Sequence, residues 1–515
     1  MFRKRRPRFV HLGHLLETLR PCRALGAVVP ETLLSGITDH SKRVQPGFVF
    51  VARKGVNAHG KYFVAEALAN GASCVLLEDA KGIDSEHACL IEVPKIEGHI
   101  ARLAYGFYGN PQRLLRLIGI TGTNGKTTSA CLLQQMLSSI GEPCAYVGTL
   151  GTRVSMDAPF EPLENTTPGT FEMAECLNKA RLAGARAVAI EVSSHALDQG
   201  RVDGLCFQAG VFLNLSHDHL DYHCSMEAYF QAKARLFQVY MGKGGFAALN
   251  VDDPFGRRLL EGFGQGRKLG FGLCSQKGLS AKNIAFSLQG TSFELVLDSK
   301  AIEKARIPLV GLHNVSNVLG ALALGVGLGF DPRALVAALE HLPQIPGRLE
   351  RVGPRDGGPK PCVFVDYAHT PDAVERVLKA LKLLSQGRLI GVLGCGGDRD
   401  PFKRPIMGKL LAEVCDVAVL TQDNPRSEDP LAILMAMEEG ARISARRFDG
   451  QSGYVCIPDR SEAIEFALSR ALPGDTVAIL GKGHEAYQMV RGVRHPFDDR
   501  LVARAVLDAY RSPGA

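Results

Sequence analysis

Residues 115–128 read LRLIGITGTNGKTT, an apolar run that breaks into a glycine-rich turn and ends in Lys-Thr-Thr. Leu115, Leu117, Ile118 and Ile120 predict a buried strand and the apolar run from Ala130 predicts a helix, so the turn falls at a strand-to-helix junction. Such a junction suits a phosphate. Gly122 and Gly125 allow close backbone approach, and the N–H groups at the helix start offer an anion the favourable end of the helix dipole. Lys126 then reaches the outer phosphates, and the Thr127 hydroxyl is placed to ligate the magnesium that accompanies a nucleotide. The general phosphate-loop pattern has a glycine five positions before Gly125, where this sequence has Ile120. A turn that merely joined strand to helix would need neither the lysine nor the two threonines behind it, and the segment is read as nucleotide-binding.

Downstream, ENTTPGT sets Asn165, Thr166 and Thr167 ahead of Pro168, which predicts a helix start; an N-cap accounts for one of those side chains but not for three. ARAVAIEVSSH predicts a strand that delivers Glu191, Ser193, Ser194 and His195 at its C-terminal end, the edge where parallel sheets place ligands. A glutamate after four apolar strand residues is costly unless it meets a cation, so Glu191 is assigned to magnesium. A further parallel strand, QAGVFLNLS, runs into HDHLDYH. There His217, His219, Asp221 and His223 nearly match the HxHxDH ligand run of metallo-β-lactamase-like hydrolases, but the last histidine arrives one residue late and that run normally stands without an upstream phosphate loop. The milder account gives His219 to magnesium and the other histidines to hydrogen bonds. MEAYFQAKARLF then predicts an amphipathic helix in which Lys233 lies among small and apolar neighbours. It is either a snorkelling surface lysine or, directly after the metal loop, one made reactive by its surroundings.

The chain divides on this reading into residues 1–112, 113–346 and 347–515, with joints at Asn110-Pro111 and Pro346-Gly347. The first unit alternates short strands and helices; Ser41 and the loop Val56-Asn57-Ala58 lie where a ligand could rest. The last unit carries strands in CVFVDYAH, RLIGVLG, VAVLT, YVCIP and DTVAILG, separated by helical segments, which predicts a doubly wound sheet. Its polar groups gather at strand ends: Asp366 and His369, then GCGGDRD, DNPR and GKGHE. Four such clusters on one edge make a binding face rather than a set of turns.

Composition bounds the rest. With 515 residues, 46% hydrophobic, 22% charged and no tryptophan, the chain is that of a globular protein of several domains. A net charge of +7 is mild, and much of it sits in MFRKRRPRF, where Arg3, Lys4, Arg5, Arg6 and Arg8 read as a solvated tail rather than a nucleic-acid arm. HLGHLLETLR places Glu17 and Arg20 where a signal peptide needs an unbroken apolar core. The apolar run Val315 to Phe330 is too short to cross a bilayer and predicts a core helix, so no membrane insertion is expected. Thirteen scattered cysteines without a CxxC pair suit a reducing compartment, and a cytoplasmic location is expected.

The ordered set GTNGKTT, ENTT, EVSSH, NLSHDHLDYH, the lysine of FQAKARLF, GLHNVSN, PGRLE, DYAHTP, GCGGDRD, DNPR and GKGHE closely resembles the Mur ligases, from about Ser41 to the C-terminus. GTNGKTT alone is shared with cyanophycin synthetases and in part with folylpolyglutamate synthetases; DNPR with GKGHE narrows it. The resemblance implies three α/β domains, a central phosphate-loop-type, mostly parallel sheet followed by a C-terminal Rossmann-like doubly wound one. It implies an ATP-dependent ligase of peptidoglycan precursor synthesis that adds meso-2,6-diaminopimelate to UDP-N-acetylmuramoyl-L-alanyl-D-glutamate through an acyl phosphate, with Mg2+, as a monomer. Position by position, it gives Gly122, Thr123, Asn124, Gly125, Lys126, Thr127, Thr128, Asn314, Arg348 and Asp366 to ATP. It gives Ser41, Val56, Asn57, Ala58, Asn165, Thr166, Thr167, Ser193, Gln199 and Arg201 to the UDP-sugar peptide, and Arg399, Asp423, Asn424, Pro425, Arg426, Gly481 and Glu485 to the amino acid. Thr127, Glu191, His219 and Lys233 would serve the metal, Lys233 as a carbamate (N6-carboxylysine), and Lys126, Glu191, His219 and Lys233 would be catalytic. Val56 stands where the family has a more polar residue, which leaves a backbone contact there. L-lysine as the acceptor, and a switch that binds ATP without ligating anything, are the alternatives. Arg426 favours diaminopimelate, because a guanidinium fork is shaped for the second carboxylate that lysine lacks.

Overall fold

The computed structural model describes residues 10–510, apart from 20, 27, 56–57, 84–87, 265 and 354–359. The basic tail and the Val56-Asn57 part of the first expected sugar-nucleotide loop therefore lie outside the described residues. The chain forms two compact units, Met1–Gly122 with Leu137–Ala248 and Arg258–Lys268, and Thr123–Met136 with Leu249–Arg257 and Leu269–Ala515.

Besides the short antiparallel pair Val10–His11 and Leu33–Leu34, the first unit holds two larger sheets. In the smaller, Arg23–Leu25, Leu90–Glu92, Cys74–Leu77, Phe48–Ala52 and Gly36–Thr38 lie in that order. The outer pair is antiparallel and the others are parallel. Val49, Phe50 and Val51 are all fully buried, as expected where a parallel strand is covered on both faces and apolar residues need not alternate. The larger sheet sets Gly151–Arg153, Cys144–Gly148, Ala187–Glu191, Arg116–Thr121 and Phe207–Phe212 side by side. All but the antiparallel edge strand run parallel. Its register sets Glu191 opposite Ile120, so the expected phosphate strand and the strand that carries Glu191 end together.

Pro168 does not open the next helix. The helix is Thr170–Leu182 with Gly169 as its N-cap, and no side chain caps it. Thr167 is engaged elsewhere, as described below.

The second unit takes up the turn at Thr123 and, as far as Met136, the helix Lys126–Ser139 that follows it. Three antiparallel strands, Leu279–Ser287, Gly290–Leu297 and Lys300–Ile307, make a meander. The expected core helix is present as Leu312–Gly327, starting three residues earlier than its apolar run because Gly311, at φ +97°, turns the chain into it.

A six-stranded sheet completes this unit, in the order Glu350–Val352, Cys362–Asp366, Thr476–Leu480, Leu389–Cys395, Val417–Gln422, Gly453–Cys456. Only the first strand is antiparallel. Alternation along the strands builds two cores. Leu389 and Leu393 face one core with Val374, Leu378, Met407, Leu411 and Met437, from helices Pro371–Leu384, Lys403–Val414 and Pro430–Ser444. Ile390 and Val392 face the other with Ile464, Ala467, Ala503 and Leu507, from helices Arg460–Ser469 and Asp499–Asp508. Helices on both faces of a parallel sheet are the doubly wound architecture expected from the sequence. Thr370, Asp429, Asp459 and Asp498 cap four of these helices through their side chains.

Candidate functional site

In the first unit, Glu191 is fully buried at the end of its strand. One carboxylate oxygen accepts from the Tyr146 hydroxyl and, at 3.0 Å, from the Thr149 N–H; the other accepts from the Thr149 hydroxyl at 3.1 Å. Its backbone carbonyl accepts from the Thr167 hydroxyl at 2.8 Å. Thr167 in turn accepts from the Ser193 N–H at 3.0 Å, while Thr166 meets Thr149 at 3.0 Å. Arg201 donates to the Thr167 carbonyl at 3.2 Å and to Gln199 at 3.0 Å. Thr166, Thr167, Ser193, Gln199 and Arg201 are thus drawn into one network around Glu191. Asn165 is exposed, and in the other sheet's region Ser41 is buried and donates to Glu66 at 2.5 Å. Ala58 is exposed.

Lys233 does not snorkel. Its side chain is 1% exposed on the helix Met226–Gln238, with Nζ donating to the Gly122 carbonyl at 2.8 Å and lying 4.6 Å from the centre of the Tyr229 ring. His219, left-handed at φ +53°, packs its ring against His195 with centroids 4.8 Å apart. Burial and the neighbouring His219, His223 and Arg201 push the His195 imidazole down to about 4. His223 is tied to the Ser194 hydroxyl at 2.9 Å. Among the described residues no three His, Cys, Asp or Glu side chains converge as a metal site, so the zinc ligand set suggested by HDHLDYH does not form.

The second unit holds the residues expected at ATP other than Gly122. Lys126 Nζ donates back to the Thr123 carbonyl at 2.9 Å. Arg348 donates to the Thr127 hydroxyl at 3.0 Å, and its guanidinium lies 4.9 Å from the centre of the Tyr367 ring. Asn124 donates to Asp372 at 3.3 Å. Asn314 donates to the Val310 carbonyl at 2.9 Å and accepts from Asn317 at 3.2 Å. Gly125 requires its lack of a side chain: at φ +85°, an added Cβ would stand 2.0 Å from Asn317 Oδ1. Asp366 accepts from the N–H groups of Leu349 and Ala368, both at 2.7 Å, and burial raises its pKa above the ordinary carboxylate value.

Three of the clusters at the C-terminal edge of the six-stranded sheet interlock. Arg426 adopts φ +53°, a strained backbone for a non-glycine residue, and is held there by two hydrogen bonds to the hairpin Tyr487–Pro496: its N–H donates to Met489 at 3.0 Å and its carbonyl accepts from Arg491 at 2.6 Å. Its Nη1 donates to the Gly397 carbonyl at 2.6 Å, which steadies the guanidinium beside GCGGDRD. Asp429 caps the following helix, its side chain accepting from the Leu431 N–H at 3.1 Å. Asn424 donates to Glu485 at 2.8 Å, and Gln488 donates to the Asp423 carbonyl at 2.8 Å. Gly481 donates to the Asp366 carbonyl at 3.1 Å; Arg399 is exposed. Tyr146, Thr149, Asp372 and Lys482 also take part, and of these only Lys482 lay in a stretch that stood out in the sequence, GKGHE.

The sequence matches the Mur ligase middle domain over residues 120–325 and the family described as Mur ligase, glutamate ligase domain over residues 347–483. A protein of Ectopseudomonas mendocina named UDP-N-acetylmuramoyl-L-alanyl-D-glutamate:2,6-diaminopimelate ligase is 40% identical over 97% of this chain and 99% of its own length. A protein of the same name from Solibacter usitatus is 41% identical over 97% of this chain and 99% of its own. A solved structure of a ligase of that name is similar with a TM-score of 0.64 at 34% identity, covering 98% of this chain and 99% of that one.

Proposed function

Because the chain belongs to the Mur ligase family, we propose that it is an ATP-dependent ligase that joins an amine of meso-2,6-diaminopimelate to the D-glutamyl carboxylate of UDP-N-acetylmuramoyl-L-alanyl-D-glutamate. The observation that carries the choice of acceptor is Arg426, held in a strained backbone with one guanidinium nitrogen anchored on Gly397, an arrangement that suits a second carboxylate. L-lysine has no such group.

Neither a carboxylate nor an ammonium is reactive in water. ATP first phosphorylates the D-glutamyl carboxylate, and the free amine then attacks the acyl phosphate and expels phosphate through a tetrahedral intermediate. Bringing two anions together requires positive charge, which Lys126 supplies at the turn, with Thr123 to Thr128 cradling the phosphates. Asn314, Arg348 and Asp366 hold the remainder of the nucleotide, while Asp423, Asn424, Gly481 and Glu485 hold the amino acid. Thr166, Thr167, Ser193, Gln199 and Arg201 position the peptide end of the sugar nucleotide. Catalysis is then positioning and charge neutralisation, with no covalent enzyme intermediate.

Mg2+ fits the donors of the first unit. Glu191 and His219 would hold the ion, with waters and nucleotide phosphates completing its octahedral shell. Lys233 as a carbamate would add an anionic oxygen donor and keep one N–H for the Gly122 carbonyl. Bound magnesium would neutralise phosphate charge.

The three lobes 1–112, 113–346 and 347–515 serve the sugar nucleotide, ATP and the amino acid in turn, in a cytoplasmic monomer. No helix among the described residues is long and apolar enough to cross a membrane. Phosphate release by the purified protein tests the reading: it should require the UDP-sugar dipeptide and diaminopimelate together with ATP. Release with ATP alone, or equal turnover with L-lysine, would overturn it.

A further inference from the structure

Lys482 is a lysine with a fully buried side chain that the proposed reaction does not use. It follows the strand Thr476–Leu480, and its Nζ donates to Asn424 Oδ1 at 3.1 Å and to Glu485 Oε2 at 3.2 Å, with the Tyr487 ring centre 5.7 Å away. A buried ammonium is expensive unless paired and hydrogen-bonded, and here both conditions are met by two residues of the acceptor cluster.

The pairing has directional consequences. Asn424 Oδ1 takes two donors, Lys482 Nζ and the Met489 N–H at 2.9 Å, while its Nδ2 donates to Glu485 Oε2 at 2.8 Å. Rotating that amide by half a turn would set an NH2 group against an ammonium and a backbone N–H, so Lys482 fixes which way Asn424 points. On Glu485 both donors fall on Oε2. Oε1 is left without a hydrogen-bond donor among the described residues. Glu485 retains 16% exposure against 0% for Lys482, so whatever of this pair meets a ligand belongs to the carboxylate.

We propose that Lys482 is a positioning residue for the acceptor: by saturating Glu485 Oε2 and orienting the Asn424 amide, it reserves Glu485 Oε1 for an ammonium group of the incoming diamino acid. This rests on the reading of the cluster as the acceptor site. Lys482 itself touches no substrate and acts through its two partners.

The test uses the full-length protein, with steady-state phosphate release measured as diaminopimelate and ATP are varied in turn. Lys482→Met should raise KM for diaminopimelate on the order of tenfold to hundredfold, the range set by losing a hydrogen bond to a charged group, and leave kcat and KM for ATP within about twofold. Adding Lys482→Met to Glu485→Gln should worsen KM little beyond Glu485→Gln alone, because both changes disable one device. Lys482→Gln, which keeps a donor, should recover part of the loss and serves if the methionine variant does not fold. An unchanged KM for diaminopimelate, effects that multiply in the double variant, parallel losses in both KM values, or failure of both single variants to fold would each make Lys482 merely structural and overturn the inference. Failure of the wild-type protein to use diaminopimelate would instead overturn the reading of the site.

Discussion

Replacing Asp499 by Ala should expose what holds the acceptor edge of the six-stranded sheet. Arg460 and Asp499 are both fully buried and pair bidentately, Nε to Oδ1 and Nη2 to Oδ2, each at 2.7 Å. Arg460 also donates to the Leu480 carbonyl at 2.9 Å and the Gln422 carbonyl at 3.2 Å, the last residues of two strands that lead into Gly481 and Asp423. Burial works to lower the Arg460 pKa and Asp499 to raise it. A guanidinium is basic enough to keep its proton in protein surroundings, so the charge remains when Asp499 is removed. An uncompensated buried charge costs about 3–5 kcal/mol. At roughly 2–4 °C per kcal/mol, that is a fall in Tm of about 6–20 °C by scanning fluorimetry. KM for diaminopimelate should rise severalfold as the two strand ends loosen. The double variant Arg460→Met with Asp499→Leu removes both charges and should recover much of the stability, because the desolvation cost disappears with the pair. A Tm within about 2 °C of wild type for Asp499→Ala, or a double variant less stable than the sum of the single changes, would refute this account.

Arg426→Ala should raise KM for diaminopimelate on the order of tenfold to hundredfold with KM for ATP unchanged, and an unaltered KM for diaminopimelate would remove Arg426 from the site. Gly125→Ala sets a Cβ 2.0 Å from Asn317 Oδ1 at φ +85°, and calorimetric ATP affinity should weaken roughly tenfold or more; equal affinity would show that the turn relaxes freely. His313, half-buried and near Arg376, has its pKa pushed down to about 4 by burial first and by that charge second. Below about 6.5 the unfolded chain takes up this proton before the folded one does, so the folded state loses stability as pH falls from 6.5 towards 4, by up to about 2 kcal/mol at pH 5. His313→Gln should therefore lose less Tm than wild type between pH 7 and pH 5, and equal losses would contradict the shift.

Sequence alone determined the features whose causes are local. The strand, glycine turn and helix over residues 115–128 follow from apolar spacing and from glycines that permit close approach, and the structure has strand Arg116–Thr121 and helix Lys126–Ser139 there. Apolar strands in the last third announced a parallel sheet, with polar clusters at the ends of four of them, because strands covered on both faces must be apolar throughout. Tertiary structure alone decided who meets whom. An N-cap could have used one of Asn165, Thr166 and Thr167, but Thr167 donates to the carbonyl of Glu191, and Tyr146, 45 residues before Glu191 in the chain, donates to its carboxylate. Whether Lys233 reached solvent depended on what its helix packs against, and the roles of Lys482 and Arg460 depended on which strand ends became neighbours. A hydrogen bond between distant residues follows from strand register and side-chain direction, and these are set only once the sheets have formed and the buried polar groups have found partners.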